Sequence, residues 1–285
     1  MSPDNDNILK GHATMLLLID AGNTRIKWGI PELSGTPVAL PPVWQHQGSV
    51  SHAELDNLAE ILRQFVITQI LISNVAGAEV KSRIADQLAL AAPAVQPEWF
   101  ASSGYAAGLH NAYLQPAQLG ADRFAAAIAS HALYPGHNLI VATCGTATTI
   151  DAISADGIFH GGMILPGLKL MAMSLAKNTA QLPQVAESIN LDNLFANHTE
   201  NAIVSGCINA QTGAIERAVA RWAIQRKQDV ICLISGGAAT YLLPHLGITC
   251  QHVDNLVLTG LALVASSTNA PGDVPANAAL PNKNR

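Results

Sequence analysis

Residues 16–29 read LLLIDAGNTRIKWG, and the fold turns on how that stretch is read. Four apolar residues, 16–19, predict a buried strand. A carboxylate, Asp20, stands at the strand end, followed by Ala21 and a tight turn through Gly22 and Asn23. A second strand follows at once over 26–29, so the whole predicts a β-hairpin with Asp20 beside its turn. Small turn residues let backbone N–H groups approach phosphate oxygens, and a carboxylate there can hold a hydrated Mg²⁺. Thr24, Arg25 and Lys27 add a hydroxyl and two positive charges. The same residues also suit a plain solvated turn in which Asp20 bonds its neighbours' N–H groups.

The pattern returns at residues 139–153, LIVATCGTATTIDAI. An apolar strand again meets a small-residue turn, Gly145-Thr146, and a second strand runs to Asp151. Aligning Gly22 with Gly145 places Thr143 where Asp20 stands. Two such units predict two related halves, each contributing one phosphate-facing hairpin.

Around these hairpins the periodicities predict an α/β layer structure. Residues 35–42 suit a loop. Residues 53–65 have helical spacing, with Leu55, Leu58, Ile61, Leu62 and Phe65 on one face. A strand is expected over 70–75 and a helix over 80–91, ended by Pro93. The Ala-rich segment 121–133 predicts a helix stopped by Pro135-Gly136, with Asp122 and Arg123 in its first turn. A first-turn aspartate is favoured by the helix dipole alone. It is equally placed to act as a general base, kept ionised by that dipole and by Arg123. Further on, a strand is expected over 163–165, helices over 168–178 and 200–226, and a strand over 230–235. Thr199 is placed to cap the long helix. Its Gly206, Ala210, Gly213 and Ala214 suit close helix approach or ordinary packing. Gly236-Gly237 opens the next helix, a turn able to admit a nucleotide.

Composition narrows the function. Of 285 residues 49% are hydrophobic and 12% charged, so a large core is easily built, mostly from Ala, Leu, Ile and Val. The formal charge of −5 and the lack of a basic stripe argue against a nucleic-acid partner. Cys144, Cys207, Cys232 and Cys250 are scattered with no CxxC pair, which speaks for reduced thiols in a cytoplasmic protein. The polar residues 1–14 lack the apolar core of a signal peptide and read as a disordered leader. The apolar run 15–19 is too short to span a membrane. From Ser267 onward the chain reads as a disordered tail.

Together, DAGNTRIKWG (20–29), GADR (120–123), CGTATTID (144–151), GGMILPG (161–167) and SGGA (235–238) resemble type III pantothenate kinase, within the superfamily of sugar kinases and actin-like ATPases. The resemblance covers about residues 15–266. It implies two ribonuclease-H-like halves, 15–120 and 121–266, with ATP in the cleft between them. It also implies a homodimer with pantothenate near the dimer interface. Asp20, Ala21, Gly22, Asn23, Thr24, Arg25, Ile26 and Lys27 match the family's first phosphate motif, with Asp20 serving Mg²⁺. Asp122 matches the catalytic base. Tyr113, Gly120, Ala121, Asp122, Arg123 and Thr199 match pantothenate-binding positions. Thr146, Gly236 and Gly237 match ATP contacts. The implied reaction is transfer of a phosphoryl group from ATP to pantothenate, giving 4′-phosphopantothenate for coenzyme A synthesis. One position departs from the family: Thr143 stands where relatives carry an aspartate that helps hold potassium or ammonium. The alternative is a relative that keeps the fold but serves as an accessory factor in transcription.

Overall fold

The computed structural model describes residues 15–32, 39–178 and 194–268. The expected leader, and the tail beyond Thr268, lie outside those residues. The chain opens with β1 (Met15–Ala21), β2 (Arg25–Pro31) and β3 (Trp44–Ser51), an antiparallel meander. After a 3₁₀ turn (Leu55–Asn57) and the short α1 (Leu58–Leu62), β4 (Ile67–Asn74) returns parallel to β1. Then come α2 (Ala78–Ala91) and β5 (Glu98–Phe100), completing a sheet of order β3-β2-β1-β4-β5.

A small ladder, β6 (Tyr105–Ala106) and β7 (Leu109–Asn111), leads into α3 (Ala121–Leu133). The strands β8 (Asn138–Cys144), β9 (Ala147–Ser154) and β10 (Ile158–Pro166) form a second meander. The chain continues through α4 (Leu168–Asn178), α5 (Thr199–Arg226), β11 (Val230–Ser235), α6 (Ala239–Leu242), β12 (Cys250–His252) and α7 (Leu256–Thr268). The second sheet has the order β12-β11-β8-β9-β10-β7-β6. Its five strands β10-β9-β8-β11-β12 repeat the order and the strand senses of the first sheet. The duplication expected from the two hairpins is therefore present in the topology, and each half has the ribonuclease-H-like arrangement. The ladder β6–β7 joins the second sheet through β10, although it precedes α3 in the chain.

The continuous apolar run at the start of β1 is explained by burial on both faces, as expected for a strand paired with a parallel neighbour and covered twice. Leu17 and Ile19 pack into a core with Leu58, Leu62, Ile84 and Leu88 of α1 and α2. Leu16 and Leu18 turn the other way, onto Leu258, Leu261 and Ala262 of α7 and Ala125 of α3. The period of two along a strand divides four consecutive hydrophobes between two layers. Meanwhile Phe124 and Ile128 of α3 pack with Leu139, Val141 and Ile153 of the second sheet. The two helices α3 and α7 thus lie together between the halves.

Their closest approach is at Gly260, where a Cβ would fall 1.9 Å from the carbonyl oxygen of Ala125. A backbone oxygen cannot swing aside as a side chain does. Gly260→Ala is expected to cost at least the roughly 1–3 kcal/mol typical of core overpacking, read as a lowered denaturant midpoint with an unchanged slope.

Several expectations are corrected. The helix over 53–65 is reduced to the 3₁₀ turn and the five residues of α1. Six elements, β3, β5, β6, β7, β12 and α7, have no counterpart in the sequence reading. The strand at 163–165 is the end of the longer β10. Thr199 is the first residue of α5 rather than its cap; His198 occupies that position, without a side-chain capping bond. Gly206 and Gly213 have open space where a Cβ would stand, so close helix contact does not explain them. Among the described residues no helix is long and apolar enough to cross a membrane.

Candidate active site

Three small-residue turns converge at the strand ends. The first, after β1, is closed by Gly22 N–H donating to Arg25 O at 3.1 Å. A nitrogen of the His52 ring lies 2.9 Å from Gly22 O and ties the turn to the segment after β3. The second turn, between β8 and β9, is closed by Gly145 N–H donating to Ala147 O at 3.0 Å. Gly167 N–H donates to Thr146 O at 2.9 Å, so the PG pair after β10 braces this second turn. The third turn leaves β11, and Ala238 N–H donates to Cys144 O at 3.0 Å. The hydroxyls of Thr24 and Thr146 are hydrogen-bonded to each other, which joins the first two turns directly. Thr24, Gly145, Thr146 and Gly237 are exposed, so the turns open to the surface.

Beside the first turn stands Asp20, opposite Lys27 on β2 and level with Ser73 on β4. Its Oδ1 is buried and has no hydrogen-bond partner. Burial pushes this carboxyl up to about 7, the neighbouring Asp122 charge adds to the rise, and Lys27 opposes it. Asp122 lies in the first turn of α3, where Gly120 is the N-cap and its carbonyl accepts from Phe124 N–H at 3.0 Å. The Asp122 carboxylate accepts from Arg123 N–H at 2.8 Å. Burial raises its pKa nonetheless, against that bond and the Arg123 charge. From sequence, the dipole and Arg123 are expected to favour its charge; burial shifts the pKa in the opposite direction.

The Arg123 guanidinium makes its side-chain hydrogen bonds away from Asp122. Its Nε lies 3.2 Å from each oxygen of Asp151, and Nη2 also donates to Asp151 Oδ1. Nη1 donates to the Tyr113 hydroxyl at 3.0 Å. Arg123 and Asp151 are only 8% and 3% exposed, so this is a buried, hydrogen-bonded ion pair. Space for it comes from Gly162 on β10, where a Cβ would fall 2.0 Å from Asp151 Oδ1 and 2.8 Å from Arg123 Nη2. Sequence reasoning missed Asp151 as a site residue. The available signal was a lone carboxylate flanked by Ile150, Ala152 and Ile153 in a strand without other charges, where a charge requires a partner.

The structure thus brings together Asp20 with Asp122, Arg123 with Tyr113, and Thr24 with Thr146. Thr199 is placed elsewhere, lining a cavity of about 580 Å³ with Pro166, Met171, Leu175, Ala202 and Cys207. Pro166 connects that cavity to the Gly167 brace of the second turn. Asp20 fits a Mg²⁺ bound mainly by phosphate oxygens and water. A buried carboxylate oxygen without a partner stands beside the first turn, and Mg²⁺ commonly takes one or two protein carboxylates. Among the described residues no cluster of three or more His, Cys, Asp or Glu offers a cage made by protein alone.

A folded-state pKa of about 7 against an ordinary 3.8 has a consequence for Asp20 in the protein free of Mg²⁺ and nucleotide. Between those values the native state holds a proton that the unfolded state has released. Stability therefore falls as pH rises from about 4 to about 7 and levels off above, by up to about 4 kcal/mol. Asp20→Asn is expected to flatten that decline, measured as denaturant midpoints across the range.

The two repeated halves, with glycine turns gathered about buried carboxylates, define the fold class of the sugar kinases and actin-like ATPases. Solved structures with this fold include a candidate Baf family transcriptional activator from Campylobacter jejuni, at 18% identity and TM-score 0.54, covering 89% of this chain and all of that one. A candidate 2-dehydro-3-deoxygalactonokinase from Sinorhizobium meliloti has 14% identity and TM-score 0.53, covering 89% of this chain and 99% of its own. The family model for type III pantothenate kinase matches residues 16–221. A type III pantothenate kinase of Herminiimonas arsenicoxydans is 54% identical over 255 residues, 89% of this chain and 98% of that protein. One from a Janthinobacterium species is 55% identical over 254 residues, 88% and 97%. The chain belongs to the type III pantothenate kinase family.

Proposed function

We propose that Asp122 is the general base of this chain's reaction, the phosphorylation of pantothenate by ATP to 4′-phosphopantothenate in coenzyme A synthesis. The observation that carries this assignment is a second, half-buried carboxylate, raised by burial, whose charge acts on Asp20 beside the first glycine turn. Phosphoryl transfer depends on in-line positioning and charge neutralisation more than on covalent chemistry by the protein. Asp122 orients the primary hydroxyl of pantothenate and accepts its proton as the new P–O bond forms. The turns spanning Asp20 to Lys27 and Gly145-Thr146 present N–H groups and hydroxyls to the phosphates, and Gly236 and Gly237 border the adenosine. Mg²⁺ held at Asp20 neutralises phosphate charge when bound. The outer edge of the Arg123 fork, with Tyr113 beside it, receives the pantothenate carboxylate. Gly120 and Ala121 border the same substrate, and Thr199, which lines a separate cavity beside α5, is assigned to pantothenate only by its match to the family's position. The active form is a homodimer.

A monovalent cation such as potassium or ammonium is assigned to neutral oxygens in this chain. Thr143 is level with Thr149 on β9 and Ser235 on β11, a row of hydroxyls with no carboxylate among the three. Such a site binds a hard cation more weakly than one containing an aspartate. The test is ATP consumption with and without pantothenate, in potassium, ammonium or sodium at constant ionic strength. Pantothenate-dependent consumption is expected, with loose cation activation that Thr143→Asp tightens. Consumption indifferent to pantothenate refutes the assignment of substrate. Tight potassium activation of the parent, not sharpened by Thr143→Asp, refutes the reading of Thr143.

A further inference from the structure

The second sheet carries a feature that phosphoryl transfer does not use. In the parallel ladder between β11 and β12, Cys232 is the direct partner of Cys250. Neighbouring strands lie about 4.8 Å apart, and partnered residues of a parallel ladder present their side chains to the same face. That spacing falls within the roughly 4.4–6.8 Å between the Cα atoms of disulfide-bonded cysteines. Both thiols are free and both belong to the same apolar cluster. They differ in access: Cys232 is 2% exposed, whereas Cys250 is half-buried. Cys250 is the first residue of a three-residue strand at the sheet edge, which has little to resist a small shift. The remaining cysteines are placed differently. Cys144 lies four residues along β8 from Ile140, the partner of Cys232 on that side, and Cys207 is on α5.

We propose that Cys232 and Cys250 form a reversible oxidation site, closing to an intrachain disulfide on exposure to a peroxide. Cys250, the accessible thiol, reacts first. Its thiolate sulfur bonds to one peroxide oxygen as the O–O bond breaks, giving a sulfenic acid and a hydroxide that leaves as water. The Cys232 sulfur then attacks the Cys250 sulfur. The S–S bond forms, the S–O bond breaks, and the departing hydroxide takes the Cys232 proton as a second water. Two thiols are oxidised by two electrons and one peroxide is reduced to two waters. The hydrogen bond between the thiols supports this order, because it lowers the Cys250 pKa and raises that of Cys232. Nearby Glu216 works against the Cys250 thiolate but does not reverse that direction.

The site sits on the strand that ends at the third glycine turn, with Cys232 four residues before Gly236. The test uses the full chain, treated with hydrogen peroxide, quenched with a thiol-blocking maleimide and analysed by intact mass and peptide mapping. Two of the four cysteines are expected to escape blocking, in one peptide pair linking positions 232 and 250, and to return on adding dithiothreitol. Cys250→Ser and Cys232→Ser are each expected to abolish the linkage, whereas Cys144→Ser and Cys207→Ser keep it. The peptide map of the unaltered chain decides the matter should a variant fold poorly. A linkage through Cys144 or Cys207, a linkage between two copies, oxygen addition at Cys250 without a linkage, or no oxidation overturns the proposal.

Discussion

Asp122→Asn is expected to lower turnover by about two to four orders of magnitude, the usual range for a positioned general base, while the protein remains folded. An amide has nearly the shape of the carboxylate, and its oxygen can still accept from Arg123 N–H, a bond of 2.8 Å in the parent. What it lacks is the capacity to take the hydroxyl proton. Because burial raises the Asp122 pKa, the parent loses activity as pH falls through a value above the ordinary carboxylate range. The variant is expected to lose that acidic limb along with its rate. The measurement is kcat against pH for both proteins, with circular dichroism confirming the fold. Near-normal turnover in a folded variant removes Asp122 from the mechanism.

The second large effect is expected at Asp151. Asp151→Ala leaves the Arg123 guanidinium 8% exposed and without its anionic partner. Breaking a buried ion pair from one side costs about 3–5 kcal/mol, because the remaining charge has no compensation. That is a large share of a typical domain's stability, so a sharply lowered denaturant midpoint is expected. Function is affected through position. Asp151 and Tyr113 between them fix the guanidinium, and without Asp151 the fork no longer presents a set edge to the substrate carboxylate. The KM for pantothenate is expected to rise more than the KM for ATP. Asp151→Asn, which keeps hydrogen-bonding oxygen and nitrogen in place, is expected to lose less of both. Equal stability of the Asp151→Ala variant and the parent would show that the pair does not hold the fold. An unchanged pantothenate KM in a folded variant would remove the positioning role.

The way these effects arise separates what is local in this chain from what is not. The hairpin at 16–29 was legible because every signal there is carried by neighbours in sequence: apolar residues for the strand and Gly-Asn for the turn. The recurrence at 139–153 was legible for the same reason, and the matching sheet orders follow from it. Helix α3 and the first-turn position of Asp122 came from alanine content and the Pro-Gly stop. Helix α7 was missed because LVLTGLALVA is apolar all round, without the one-sided periodicity of a surface helix. Strand β3 was missed because WQHQGSVS is polar and largely exposed at a sheet edge.

Sequence by itself determined the two hairpins, the repeated halves and the residue types that gather at the site. Tertiary structure alone decided how those residues act on one another. Asp122 read locally is an aspartate at a helix N-terminus beside an arginine, both of which favour its charge. In the fold Asp151, 28 positions further on, takes that arginine's hydrogen bonds, and burial reverses the direction of the Asp122 shift. Desolvation and long-range pairing depend on which surfaces the chain closes together. No window of neighbouring residues contains that information, because the partners meet only when β9 and β10 pack against α3.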